Sequence, residues 1–265
     1  MIPISDSNPT RRVPWVTIGL IVVNVVVFLL WAPSLRTRNQ ATYFHCNALV
    51  PYEVTHQTNL AEGGADARAA LAEDYGEDAA PLQRALRERC PDKSWALALL
   101  VSMFLHGGWL HLGGNMLYLW IFGNNVEDRL GRLSYLGFYL MGGIAADGLQ
   151  NAYGPTSTEP TLGASGAVAA VLGAYLLLFP RARVRTLVFL LVFVTWIKLP
   201  AVVVLGGWFL LQLFSGIGSI GEQGSGVAYW AHVGGFVFGY LVALLFYRDR
   251  RGEQTTEASS SRYGI

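Results

Sequence analysis

Six stretches of this chain are long and apolar enough to fill the hydrocarbon core of a bilayer, which takes about 20 residues in a helix. They lie at roughly 15–32, 109–126, 133–151, 162–179, 200–215 and 228–247. Backbone polar groups in hydrocarbon must be paired within the segment that carries them, so each stretch reads as a helix. Composition agrees: 52% of the 265 residues are hydrophobic and 14% are charged, outside the range of an ordinary soluble domain. The 8 Trp and 12 Tyr suit membrane interfaces, and the 30 Gly let helices approach closely. A net charge of +1 gives no hint of nucleic-acid binding. The first run, Trp15 to Trp31, is too long for a secretory signal core and has no small-residue cleavage site. The expected fold is an all-α membrane protein, a six-transmembrane-helix bundle embedded in the lipid bilayer.

Two apolar runs do not fit as spans. 95-WALALLVSMFL-105 is too short and is followed by His106-Gly107-Gly108, so it is expected to lie in the outer leaflet or re-enter. 187-LVFLLVFVTWI-197 precedes Lys198 and Pro200 and reads as an interfacial or hairpin segment. Arginines gather before the first span, between the second and third, and after the fourth and sixth. Both termini are therefore expected to be cytoplasmic, in a bacterial inner membrane. The divisions are a cytoplasmic segment 1–14, a membrane domain 15–247 and a disordered cytoplasmic tail 248–265. Within the membrane domain, residues 33–94 form a large extracytoplasmic loop, in which 65–89 reads as one or two solvated helices. Cys46 and Cys90 both fall in that loop, where a disulfide and two free thiols are both open readings. His45, His56 and Cys46 lack the spacing of metal ligands, so no metal site is expected.

With this topology the second, fourth and sixth spans all begin on the outer side, so polar residues in their first turns share one depth. Span two opens with His111 and Asn115, four residues apart on one face. Span four opens with Ser165 in 161-TLGASGAVAA-170, and span six opens with His232 in 230-WAHVGGFVFGY-240. Polar groups at membrane depth are costly and mark sites. Gly235 and Gly239 share the face of His232, and Gly166, Ala170 and Gly173 form a small-residue ridge after Ser165. Such ridges bring backbones together and place imidazole and hydroxyl within reach of a hydrogen bond, the arrangement of an activated nucleophile. Free N–H groups at a helix start favour an oxyanion, which His111 and Asn115 would complete. No carboxylate is placed to orient His232, since Asp147 reads as a packing or interfacial residue, so the expectation is a Ser–His dyad rather than a triad.

These motifs, GASGA, AHVGGFVFG and HGGWLHLGGN, together with 123-GNNVEDRLG-131, closely resemble the rhomboid intramembrane serine proteases over about residues 95–247. The resemblance implies a serine endopeptidase that cuts transmembrane protein substrates, with Ser165 as nucleophile and His232 as general base. His111, Asn115 and the Ser165 N–H correspond to the oxyanion hole. His106 corresponds to a structural or water-coordinating residue, Glu127 and Arg129 to a structural polar network, and Trp208 and Phe209 to a substrate-gating helix. No cofactor is implied. Two departures stand out: Ala169 replaces an aromatic that stacks on the base in several members, and the loop carries an insertion at roughly 60–92. The readings from other classes are an inactive rhomboid-like protein that binds membrane clients, and a small transporter.

Overall fold

The computed structural model describes residues 2–31, 40–190, 193–219 and 227–247; the expected tail at 248–265 lies outside them. A strand β1 (Ile2–Asp6) precedes α1 (Trp15–Trp31). Four short helices follow: α2 (Gln40–Asn47), α3 (Pro51–His56), α4 (Ala65–Tyr75) and α5 (Ala79–Arg89). Next come α6 (Trp95–Val101) and α7 (Trp109–Tyr118), which continues through a π-helical turn, Leu119–Gly123, into α8 (Asn124–Leu130). The chain ends with α9 (Arg132–Tyr153), α10 (Ser165–Leu178), strands β2 (Arg183–Leu190) and β3 (Phe193–Pro200), α11 (Ala201–Gly218) and α12 (Tyr229–Tyr247).

Among the described residues, α11 and α12 are long and apolar enough to cross a membrane. Trp95–Phe104 and Trp109–Leu130 meet that standard only as a pair, bent by 80° at the break between them. The other expected spans fall short on length or composition. α1 has 17 residues and α10 has 14, the latter about 21 Å of helix, while α9 carries Asp147, Gln150 and Asn151 in its last turns. For α10 the reason is burial. Every residue from Gly166 to Tyr175 is enclosed by protein, so this helix has no lipid thickness to match.

The expectation of an all-α chain is corrected by a three-stranded antiparallel sheet in the order β1-β2-β3. β2 alternates Val184, Thr186 and Val188, buried, with Arg183 and Arg185, exposed, which is the period of a half-buried strand. The run at 187–197 belongs to this hairpin, with Leu187 opposite Trp196. β1 adds to its other edge, Ile2 opposite Leu187. Asp6 then ties the sheet to the bundle, accepting hydrogen bonds from Asn125 Nδ2 at 2.8 Å and the Tyr175 hydroxyl at 2.5 Å.

α10 packs between α9 and α12 at backbone distance. A Cβ on Gly235 would strike the Gly166 carbonyl, one on Gly239 the Ala170 carbonyl, and one on Gly173 the Phe236 carbonyl. Lipid gives apolar faces little reason to associate, so this close dispersion contact is what holds such helices together. At the far end of α8, the Glu127 carboxylate accepts the N–H groups of Val16 and Thr17, at 3.0 and 2.8 Å, and the Thr17 hydroxyl at 2.8 Å. These are unpaired donors at the start of α1, so Glu127 anchors that helix. Arg129 is half-buried two residues later. Gly131, at φ 83°, ends α8 in a conformation that only glycine adopts freely.

Residues 40–94 form a packed unit with its own core of Val50, Leu60, Leu71, Leu82 and Leu86. Cys46 and Cys90 are disulfide-bonded, and Lys93 Nζ pairs with the buried Glu53 carboxylate at 2.5 Å. The two helices α4 and α5 therefore do more than float in solvent. His45 lies between the carbonyls of Ala41, 2.7 Å from Nδ1, and Thr158, 3.0 Å from Nε2. Burial holds its imidazole down at about 4, outweighing those carbonyls, which favour the charged form.

Two outcomes are expected. Gly239→Val should force α10 and α12 apart and cost about 1–3 kcal/mol, read as a lowered unfolding temperature in detergent. His45 titrates near 6.5 when unfolded and near 4 when folded, so its contribution is present above pH 6.5 and is lost as pH falls towards 4. Hydrogen-exchange protection over 40–94, taken relative to the intrinsic rate at each pH, should fall across that window, by at most about 3 kcal/mol, and His45→Gln should flatten the dependence.

Candidate active site

Ser165 is the first residue of α10. The turn before it depends on Gly163, whose φ of 120° lies where side chains are disfavoured and whose N–H donates to the Ser102 carbonyl at 2.9 Å. A Cβ at Gly163 would stand 2.7 Å from His111 Nε2 and 3.6 Å from Ser165 Oγ, so the glycine also keeps open the space between those two groups. The preceding segment is pinned by the 40–94 unit. Thr161 N–H donates to the Leu49 carbonyl at 2.7 Å, and Tyr52 N–H to the Ser157 carbonyl at 2.9 Å. Asp74 accepts both the N–H and the hydroxyl of Thr158, at 2.7 and 2.6 Å.

His232 occupies the first turn of α12 and faces the same cavity as Ser165. That cavity, about 540 Å³, is also lined by His111, Asn115 and Trp208. Among the described residues no hydrogen bond joins Ser165 Oγ to His232, so the direct contact expected from the sequence is not made. Gly235 and Gly239 bring the two helices to backbone contact just below.

On α7, His111 Nδ1 accepts the Gly107 N–H at 3.4 Å. A neutral imidazole that accepts at Nδ1 carries its proton on Nε2, the nitrogen beside Gly163 and Ser165. The Asn115 amide donates to His106 Nε2 at 3.0 Å and still lines the cavity. His106 is buried, with its ring centroid 5.0 Å from that of His111. It fixes Asn115 in place.

Sequence reasoning left open what holds the His232 ring when Ala169 cannot. Two residues of α11 do so: Gln212 Oε1 lies 2.7 Å from His232 Nδ1, and the Trp208 ring centroid lies 5.7 Å from the imidazole at 39°. Trp208 and Gln212 are four residues apart and share a helical face. That spacing was visible in the sequence; the direction of the face was not. Ser102 and Ser219 donate to the carbonyls of Leu99 and Gly216, both at 3.0 Å. Asp147 is buried, away from the cavity lining.

A second, polar cavity of about 260 Å³ shares His111 and Leu162 with the first and is walled by Gln150, Ser157, Glu159 and Thr161. A hydroxyl, two imidazoles and an amide thus converge beside an apolar chamber with a polar annex. This arrangement suits acyl transfer followed by hydrolysis.

Residues 92–249 match the family model described as Rhomboid domain. Rhomboid protein 1, mitochondrial, of Saccharomyces cerevisiae is 32% identical over 152 residues, covering 55% of this chain and 40% of the yeast protein. Human presenilin-associated rhomboid-like protein, mitochondrial, is 27% identical over 169 residues, covering 62% of this chain and 33% of its own length. RHOMBOID-like protein 5 of Arabidopsis thaliana is 30% identical over 92 residues, covering 35% and 30%. The matched region spans well under half of each relative. These relatives are eukaryotic and two are named mitochondrial, so they lend no support to the expected bacterial inner membrane.

Proposed function

Because this chain belongs to the rhomboid family, we propose that it is an intramembrane serine endopeptidase. Ser165 is the nucleophile, His232 the general base, and His111 with Asn115 the oxyanion donors. The observation that carries this reading is a single one: Ser165 and His232, from two helices in backbone contact, open onto one chamber with His111 and Asn115.

The chemistry follows from that arrangement. His232 Nε2 takes the Ser165 hydroxyl proton as Oγ bonds to the substrate carbonyl carbon, whose π electrons move to oxygen. The oxyanion meets His111 Nε2–H, the Asn115 amide and the N–H groups at the start of α10. Collapse expels the amine, which leaves with the proton from His232. Water then enters through the polar annex; His232 deprotonates it as it attacks the acyl carbon, and collapse breaks the acyl–Oγ bond as His232 returns the proton to Ser165 Oγ.

The helices at 15–31, 109–130, 132–153, 165–178, 201–218 and 229–247 form six membrane segments in this reading, with both termini cytoplasmic and residues 40–94 on the opposite, oxidising side. The disulfide supports that side assignment. Substrates are transmembrane proteins that reach the chamber past α11, whose outward face bears exposed Val203, Leu211 and Phe214.

Purified full-length protein should cleave a transmembrane model peptide, and a fluorophosphonate probe should label it at Ser165. Ser165→Ala and His232→Ala should each abolish cleavage while the unfolding temperature is retained. Asn115→Ala should lower kcat by about 10²-fold. A wild type that neither cleaves nor takes the probe, yet captures transmembrane clients, would establish the inactive client-binding reading instead.

A further inference from the structure

Gln212 is a buried amide in the apolar helix α11, at 8% exposure. A polar side chain there is expensive to keep unless it is hydrogen-bonded, and it spends its oxygen on the imidazole of another helix, 2.7 Å away. An amide oxygen has no proton to give, so the shared hydrogen sits on His232 Nδ1. A neutral imidazole holds one proton, and the other nitrogen, Nε2, is therefore left as a bare lone pair.

We propose that Gln212 is the positioning residue of this site: its side-chain carbonyl holds His232 in the Nδ1–H tautomer and leaves Nε2 free to take the Ser165 proton. This rests on the protease reading above and assigns to a neutral amide the orienting part that a buried aspartate plays in a Ser–His–Asp triad. The substitution has a chemical consequence. When His232 gains its second proton, the Nδ1–H bond to Oε1 becomes charge-assisted. Among the described residues no carboxylate bonds His232 to compensate the imidazolium. Trp208, one turn before Gln212, contacts the same ring and restricts its tilt, while Gln212 selects its protonation. One helix face thus supplies both restraints that Ala169 cannot.

The test uses full-length protein in detergent or bilayers, with a transmembrane peptide as substrate and three variants. Gln212→Met keeps the volume and removes the acceptor; kcat should fall at least about tenfold with KM within about twofold. Gln212→Glu retains an acceptor oxygen at the same reach and should keep kcat within a few-fold of wild type. Gln212→Asn is too short and should behave like Gln212→Met. Gln212→Met should still unfold cooperatively, since an apolar side chain of like volume replaces the amide and His232 Nδ1–H loses one partner. The second readout does not need cleavage: ¹⁵N spectra of histidine-labelled protein should show wild-type His232 with its proton on Nδ1, and a tautomer mixture in Gln212→Met. Wild-type His232 protonated on Nε2, or Gln212→Met with unchanged kcat, overturns the proposal. A protein that cleaves nothing, or that still cleaves as Ser165→Ala, refutes the protease reading instead, and the nitrogen spectra still decide what Gln212 does.

Discussion

Everything at the candidate site depends on how closely α10 and α12 approach. Gly235 and Gly239 on one helix meet the carbonyls of Gly166 and Ala170 on the other, so the two backbones touch without intervening side chains. At that distance a serine that starts one helix and a histidine in the first turn of the other share a chamber with no connecting loop to align them. Water provides no hydrophobic drive between faces in a bilayer, so the contact rests on dispersion and shape. A single methyl group at either glycine would strike the facing carbonyl and disturb the contact.

The 40–94 unit reaches the same site from outside the bundle. Its core, its disulfide and its buried Lys93–Glu53 pair make it firm enough to pin another segment. It uses that firmness on residues 157–161, through Leu49, Tyr52 and Asp74. Those residues lead directly to Gly163 and Ser165. The 40–94 unit is thereby tied mechanically to the start of α10.

How much of this was legible in the sequence differed by residue. Ser165, His232, His111 and Asn115 stood out because each sits in the first turns of an apolar run, where a polar side chain is conspicuous and its depth follows from chain parity. Gln212 was not conspicuous. One glutamine inside WFLLQLF looks like any tolerated polar residue, and its meaning comes from which face of α11 meets α12, a tertiary fact. The β2–β3 hairpin was half visible: the run at 187–197 read as too awkward for a span, but the alternation beginning at Arg183 was masked by its apolar neighbour. β1 pairs with a segment about 180 residues away, and no local pattern could have announced it. The burial of α10 also explains why counting apolar residues misjudges its length.

The residues that hold His232, Trp208 and Gln212, belong to a helix whose opposite side is bare. α10 and α12 are locked by their glycines, which fixes Ser165 and His232 relative to each other, whereas α11 meets α12 through side chains such as Phe209 on Phe236. In the proposed protease reading, a polypeptide admitted past α11 takes the imidazole's restraints with it. On that reading His232 regains its Nδ1–H tautomer only once the helix settles back against α12, so admission and reaction occur in turn, as in an interlock, rather than together.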